Sequence, residues 1–235
     1  MSQIRLCSFM FLFPDRADSR FYYLFQADQK PLFSEDKMTD SAITKLSIAD
    51  VFKKLMCKKA FEKITISDIS TECGLNRQTF YYHFRDKYEL LNWIFYNEAI
   101  TPFMEGLSFD NWSSKLCDML RLIYTNSKFY TNALKTYYGE EFKSYMHKVG
   151  TSVFSSVVDH VSGNYYVADD DKQFIAEFFS YGMIGTMVAW VQKGMKDTPE
   201  TVVAHIENLV NDCQRLAIAR YMMPNKKNQD RPYNT

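Results

Sequence analysis

The chain has 235 residues, of which 46% are hydrophobic and 16% aromatic, with only 8 glycines and 6 prolines. That composition excludes a disordered or collagen-like chain and suits a packed, helix-rich globular protein. Its 28 basic and 28 acidic residues leave no net charge, which does not exclude nucleic acid, because binding depends on where the positive charge sits.

The first segment, Leu6 to Phe13, is apolar but is interrupted by Pro14-Asp15-Arg16 and followed by no small-residue cleavage site, which argues against a secretory signal. Met38 reads as a natural start. Residues 1–37 are therefore either an upstream extension with a misassigned start or a docking segment. From Ser41 to Lys59, apolar Ile48, Val51, Phe52, Leu55 and Met56 recur at spacings of three and four, the pattern of an amphipathic helix. Thr65 and Asp68 form a capping-box pair for a second helix of about two turns, which Gly74 stops. Asn76 caps a third short helix through His83, and Asp86 caps a fourth carrying Leu90, Leu91, Ile94 and Phe95. The second and third helices are joined by a tight glycine turn, which is helix-turn-helix geometry.

Beyond Thr101-Pro102 the spacing predicts helices over Trp112 to Thr125, Phe129 to Lys148 and Thr151 to Val161, with a break at Ser162-Gly163-Asn164. Asp169-Asp170-Asp171 opens another, where the dipole favours acidic groups, and it runs to Gly194. Thr198-Pro199-Glu200 starts the last one, an N-cap followed by proline at N1 and an acid in the first turn, lined by Val202, Ile206, Leu209, Cys213 and Leu216. Residues 224–235 read as a disordered polar tail. The fold class is thus all-α: a helix-turn-helix domain over 38–95 and a second helical domain over 96–223. No apolar run approaches the ~20 residues of a membrane helix. The five cysteines, Cys7, Cys57, Cys73, Cys117 and Cys213, follow no CxxC or paired pattern and read as thiols in a reducing cytosol.

The stretch Phe61-x-x-Ile64-Thr65-Ile66-Ser67-Asp68-Ile69, then Cys73 to Lys87, then Leu90-Leu91, closely resembles the DNA-binding signature of TetR/AcrR-type bacterial regulators. It departs from that signature at Cys73, where alanine is usual, and at Tyr88, where an acidic residue is common. Phe178 to Gly185 followed by Trp190 to Gly194 is similar, more loosely, to the subgroup that contains activators of dihydroxyacetone-kinase operons. The resemblance implies a cytoplasmic homodimer joined by the last two helices of each subunit, and control of DNA binding through the C-terminal domain. A small molecule is the expected effector; a partner protein or a metal ion is the alternative, with activation a possible output.

A recognition helix places polar side chains in the major groove while its rear face packs inward. Arg77 can reach guanine and Gln78 adenine in bidentate fashion. Thr79, Tyr81, Tyr82 and His83 supply further contacts to phosphates or bases. Lys87 matches the phosphate-clamping lysine of the family, and Thr65 can offer its hydroxyl and backbone N–H to a phosphate. Lys45 is a further phosphate candidate, whereas the lysines at 53–59 read as a solvated face. Phe178, Gly182, Gly185, Ile206, Leu209 and Cys213 are the expected dimerisation residues. Tyr124, Phe129, Tyr130, Tyr137, Tyr138, Phe142, Tyr145 and Trp190 either line an effector pocket or are core. His147, His160, His205 and Cys117 show no HxxxH or HxxE pair, so no metal and no cofactor is expected. No nucleophile motif or phosphate-cradling loop points to an enzyme.

Overall fold

The computed structural model describes residues 40–108, 111–135, 138–162 and 168–222, with the side chains of 160–162 and 213–222 left undescribed. The expectations for residues 1–37, for the tail, and for the side chains of Tyr137, His160, Cys213 and Leu216 lie outside these described parts. Every described element is helical: α1 (Asp40–Met56), α2 (Ile66–Glu72), α3 (Arg77–His83), α4 (Lys87–Phe95), α5 (Thr101–Met104), α6 (Trp112–Thr125), α7 (Ser127–Lys135), α8 (Gly139–Ser162), α9 (Asp169–Gln192) and α10 (Pro199–Met222). A tight 3-10 turn, Phe61–Lys63, separates α1 from α2, and a wide π turn, Tyr96–Ile100, joins α4 to α5.

Local chemistry fixes the first four helices. Ile48, Phe52 and Met56 bury one face of α1 against Ile69 of α2, Phe80 of α3 and Leu90, Leu91 and Ile94 of α4. The same apolar core continues without interruption into Leu120, Phe129, Phe142, Met187 and Val191. Removing such side chains from water supplies the main stabilisation, at about 25 cal/mol per Å² of apolar surface. At Pro102 the chain stays helical: the π turn lets the Thr101 N–H reach the Tyr96 carbonyl, and the wider turn accommodates a ring that cannot donate.

The C-terminal half divides differently from its expected boundaries. α7 stops at Lys135, and α8 begins at Gly139, where an added Cβ would lie 2.7 Å from the Leu134 carbonyl oxygen. α8 then runs through Gly150 without a break. Gly150 is buried, and a Cβ there would lie 2.7 Å from Ser180 Oγ and 3.3 Å from Ile184 Cγ1. This glycine permits α8 and α9 to pack closely rather than ending a helix. α9 is long and apolar enough, by length and composition, to cross a membrane, although no uninterrupted apolar run signals it. Its inner face, with Ala176, Ile184, Met187, Val188 and Val191, belongs to the core.

Candidate nucleic-acid interface

The reading head is built from caps. Thr65 Oγ1 accepts from the Asp68 N–H at 3.1 Å, and Asp68 Oδ2 accepts from the Thr65 N–H at 2.9 Å. This reciprocal box satisfies donors that a helix start leaves open, and it holds the Asp68 carboxyl below its ordinary range, through the Thr65 backbone first. α2 ends at Cys73 with Gly74 at φ +67°. The Gly74 N–H bonds the Thr71 carbonyl and the Leu75 N–H bonds the Ser70 carbonyl, the paired pattern that closes a helix on a left-handed residue. Two residues later Asn76 Oδ1 accepts from the Thr79 N–H at 2.7 Å and starts α3. The four-residue connection, Cys73 to Asn76, is therefore fixed at both ends.

α3 has two chemically opposite faces. Phe80 is fully buried and packs 5.9 Å from Phe84 and edge-on to Tyr81. Arg77 and Gln78 are exposed and have no intramolecular polar partner among the described residues. Tyr82 is 82% exposed and Tyr81 56%, which is unusual for rings with a core within reach. Thr79 differs from the expectation of an open contact, because its hydroxyl donates to Asn76 Oδ1 at 3.0 Å. His83 is half-buried against the Tyr82 ring. Burial, and then the Lys45 charge, lower its proton affinity. Lys45 lies over the Phe84 ring at 5.6 Å, so α1 brings a cation beside the end of α3.

Two expected phosphate contacts are occupied internally. The Thr65 hydroxyl also donates to Asp68 Oδ2 at 3.0 Å, and its N–H is taken by the same carboxylate. Lys87 Nζ donates to three carbonyl oxygens, of Phe61 at 2.8 Å, Glu62 at 3.2 Å and Ile64 at 2.8 Å. An ammonium has three donors, so the turn before α2 uses all of them. Burial pushes the Lys87 ammonium below its ordinary value while Glu62 opposes the shift. Sequence reasoning missed this arrangement, although the open carbonyls of a 3-10 turn facing the lysine at the α4 start are a usable signal. It also missed the role of Tyr88, whose ring lies 5.2 Å from Phe61 and 4.1 Å from Tyr138.

In the C-terminal half, α9 exposes Phe174, Phe178 and Tyr181, and α10 exposes Leu209 at 65%. Gly182 and Gly185 lie on the same outer face, with open space where a Cβ would be. Ile206 is half-buried and packs on the core. Of the aromatic residues considered for an effector pocket, Phe129, Tyr130, Phe142 and Trp190 are buried core, while Tyr124 is exposed and stacks on Trp190. An open groove of about 520 Å³ lies instead between α8 and α9, with Glu140, Lys143, His147, Lys148, Glu177 and Tyr181 among its lining residues. It is polar rather than ring-lined. Among the described residues no three His, Cys, Asp or Glu side chains converge as metal ligands.

Comparison with known proteins agrees with this geometry. Residues 48–94 match the family model described as bacterial regulatory proteins, tetR family, and residues 110–212 match one described as a transcriptional regulator C-terminal region. The HTH-type dhaKLM operon transcriptional activator DhaS of Lactococcus lactis subsp. lactis (strain IL1403) is 29% identical over 143 residues, which cover 60% of this chain and 75% of that protein. A solved structure described as the dihydroxyacetone kinase operon activator DhaS superposes with a TM-score of 0.58 at 26% identity. That match covers 74% of this chain and 97% of the other. NalD, the secondary repressor of the MexAB-OprM multidrug efflux pump in Pseudomonas aeruginosa, shares the fold, with a TM-score of 0.51 at 14% identity over 74% of this chain and 96% of its own.

Proposed function

The chain belongs to the TetR family of bacterial transcriptional regulators, and from that premise we propose that it reads a palindromic double-stranded operator as a homodimer through Arg77 and Gln78. TetR regulators bind DNA and act as dimers. The observation that carries the finer reading is the division of α3: Phe80 is buried, while Arg77, Gln78, Tyr81 and Tyr82 stand exposed on the opposite side. Arg77 and Gln78, at the start of the recognition helix, are placed to enter the major groove and pair with guanine and adenine edges. Tyr81, Tyr82 and Lys45 supply contacts to phosphate, which fix register without reading sequence. Thr65, Thr79, His83 and Lys87 act behind these, by holding the caps and the turn that orient α3.

In this reading residues 38–95 are the DNA-binding part and 96–223 the effector and dimerisation part, acting in the cytoplasm where the operator lies. Phe178, Gly182, Gly185 and Leu209 form the surface on which two copies meet, with Ile206 at its edge and Cys213 on the same helix. The effector, a small molecule or a partner protein, acts by changing the separation of the two heads. The named activator among the relatives supports activation of transcription as the output. Selection of a random duplex pool with the purified protein tests the proposal. Two inverted half-sites should emerge, and Arg77→Ala should cost about 1–3 kcal/mol and relax preference at one base of each. Unchanged preference in that variant would assign the reading face elsewhere.

A further inference from the structure

We propose that Asn132 is a positioning residue for DNA reading: from α7 it holds the α1–α2 connection, and so sets the half-site spacing at which a dimer engages its operator. The inference rests on the reading of the protein as a dimeric operator-binding regulator. Asn132 Nδ2 donates to the Met56 carbonyl at 2.8 Å and to the Lys59 carbonyl at 2.7 Å. Its Oδ1 accepts from the Phe61 N–H at 3.2 Å. One side chain thus closes the open carbonyl end of α1 and the first peptide of the 3-10 turn, more than seventy residues away in sequence. A carboxamide is the neutral side chain with two donors and an acceptor at these positions; a carboxylate would set one acceptor oxygen, in place of Nδ2, against both carbonyls.

The same turn is gripped from its other side. The carbonyl of Phe61, the residue whose own N–H Asn132 holds, accepts from Lys87 at the start of α4. The Phe61 ring stacks on Tyr138, next to the start of α8, at 5.9 Å and 15°. Tyr138 also meets Tyr88 at 4.1 Å. The corner of α7 and α8 therefore touches the reading head at the residue group from which α2 starts, four residues before the Thr65 cap. α7 itself is anchored in the C-terminal core by buried Phe129, Tyr130, Ala133 and Leu134. A displacement of α7 is then passed to α2 and α3 through hydrogen bonds with fixed direction, whereas apolar contacts alone would let the two slide.

Spacing preference is the readout that separates positioning from folding, because one base pair moves a half-site by about 3.4 Å. The full-length protein and Asn132→Asp are titrated against the selected operator, against the same half-sites with one base pair added or removed, and against a single half-site. The wild type should prefer the selected spacing. Asn132→Asp should reduce that preference by about fivefold or more, with helicity, dimer mass and single half-site affinity unchanged. An unchanged spacing preference overturns the proposal, as does an equal loss on every duplex, which marks a structural role only. Should Asn132→Asp fail to fold, Tyr138→Leu removes the other half of the joint and is read in the same way. A wild type that selects no duplex overturns the operator reading and this proposal together; a wild type that selects one while the variants keep its spacing overturns this proposal alone.

Discussion

Lys87 shows how a residue's neighbours decide its role. A lysine at the first position of a helix that follows the recognition helix is well placed for a phosphate, yet its three donors end on the carbonyls of Phe61, Glu62 and Ile64. Lys87→Met should therefore destabilise the protein by about 1–3 kcal/mol, since it removes a charged hydrogen bond from each of the three carbonyls and leaves Phe61 only the Ile64 N–H, and weaken binding to every duplex. The slope of affinity against salt should stay the same, whereas loss of a true phosphate contact lowers it by about one. Thermal melts and titrations at several salt concentrations distinguish the two. The two partly buried histidines share a sign. His147, with a buried Nδ1 that has no hydrogen-bond partner among the described residues, and His83 both hold a proton less readily than in the unfolded chain, burial being the first cause in each. A histidine whose folded pKa is depressed leaves the unfolded state with the extra proton below about pH 6.5. Stability should thus be complete above that pH and decline as the pH falls through it. Melting temperatures from pH 7.5 to 5.5 should show the decline, and His147→Leu should reduce its slope; an equally steep slope in the variant would remove His147 from the account.

The short N-terminal helices were legible in the sequence because their ends are decided locally. Thr65, Asp68, Gly74, Asn76 and Asp86 each act within four residues of their own position, and each does what its side chain or backbone freedom suggests. The exposure of Arg77 and Gln78 was legible for the same reason, as polar residues opposite the buried Phe80. The long helices were less so, because their boundaries depend on tertiary neighbours. Gly150 looks like a stop in isolation, but Phe142, Met146, Val149, Val153 and Val158 continue an inward stripe across it, and that stripe was the usable signal. The joint made by Asn132 had no signal at all, since its partners are backbone groups brought from another helix. Gly150 also carries the prediction proper to this scale. Alanine normally gains about 1 kcal/mol over glycine inside a helix, but here its methyl meets Ser180 Oγ at 2.7 Å, and that hydroxyl is fixed on the His147 carbonyl at 2.9 Å. Overpacking of this kind costs about 1–3 kcal/mol, so Gly150→Ala should lower the melting temperature. Adding Ser180→Ala should recover part of the loss; equal melts for the two alanine variants at position 150, with and without Ser180, would show that the helices separate freely.

At the scale of the whole molecule, the decisive feature is the outer face of α9 and α10. Phe174, Phe178 and Tyr181 fall four and three residues apart on one side of α9, each more than 60% exposed, with Leu209 of α10 similarly placed. Burying one such ring contributes about 1.5–3 kcal/mol, and a helix of this apolar composition leaves that contribution unrealised until another surface covers it. Beyond the rings on the same helix, Gly182 and Gly185 present bare backbone with no atom of the other described residues within 4 Å of a Cβ position, which lets a second helix approach closely. A second copy meets both conditions, because in a two-fold contact the same ridge and the same gap face each other. Phe178→Glu should then place two like charges across the axis while leaving the monomer's core untouched. Sedimentation should find the wild type dimeric and the variant monomeric at micromolar concentration. The melting temperature should rise with protein concentration in the wild type alone. Affinity for the two-half-site operator should fall to that for one half-site. A variant that remains dimeric and keeps its operator affinity would place the subunit contact on a different face, and α9 would need another partner to explain its exposed rings.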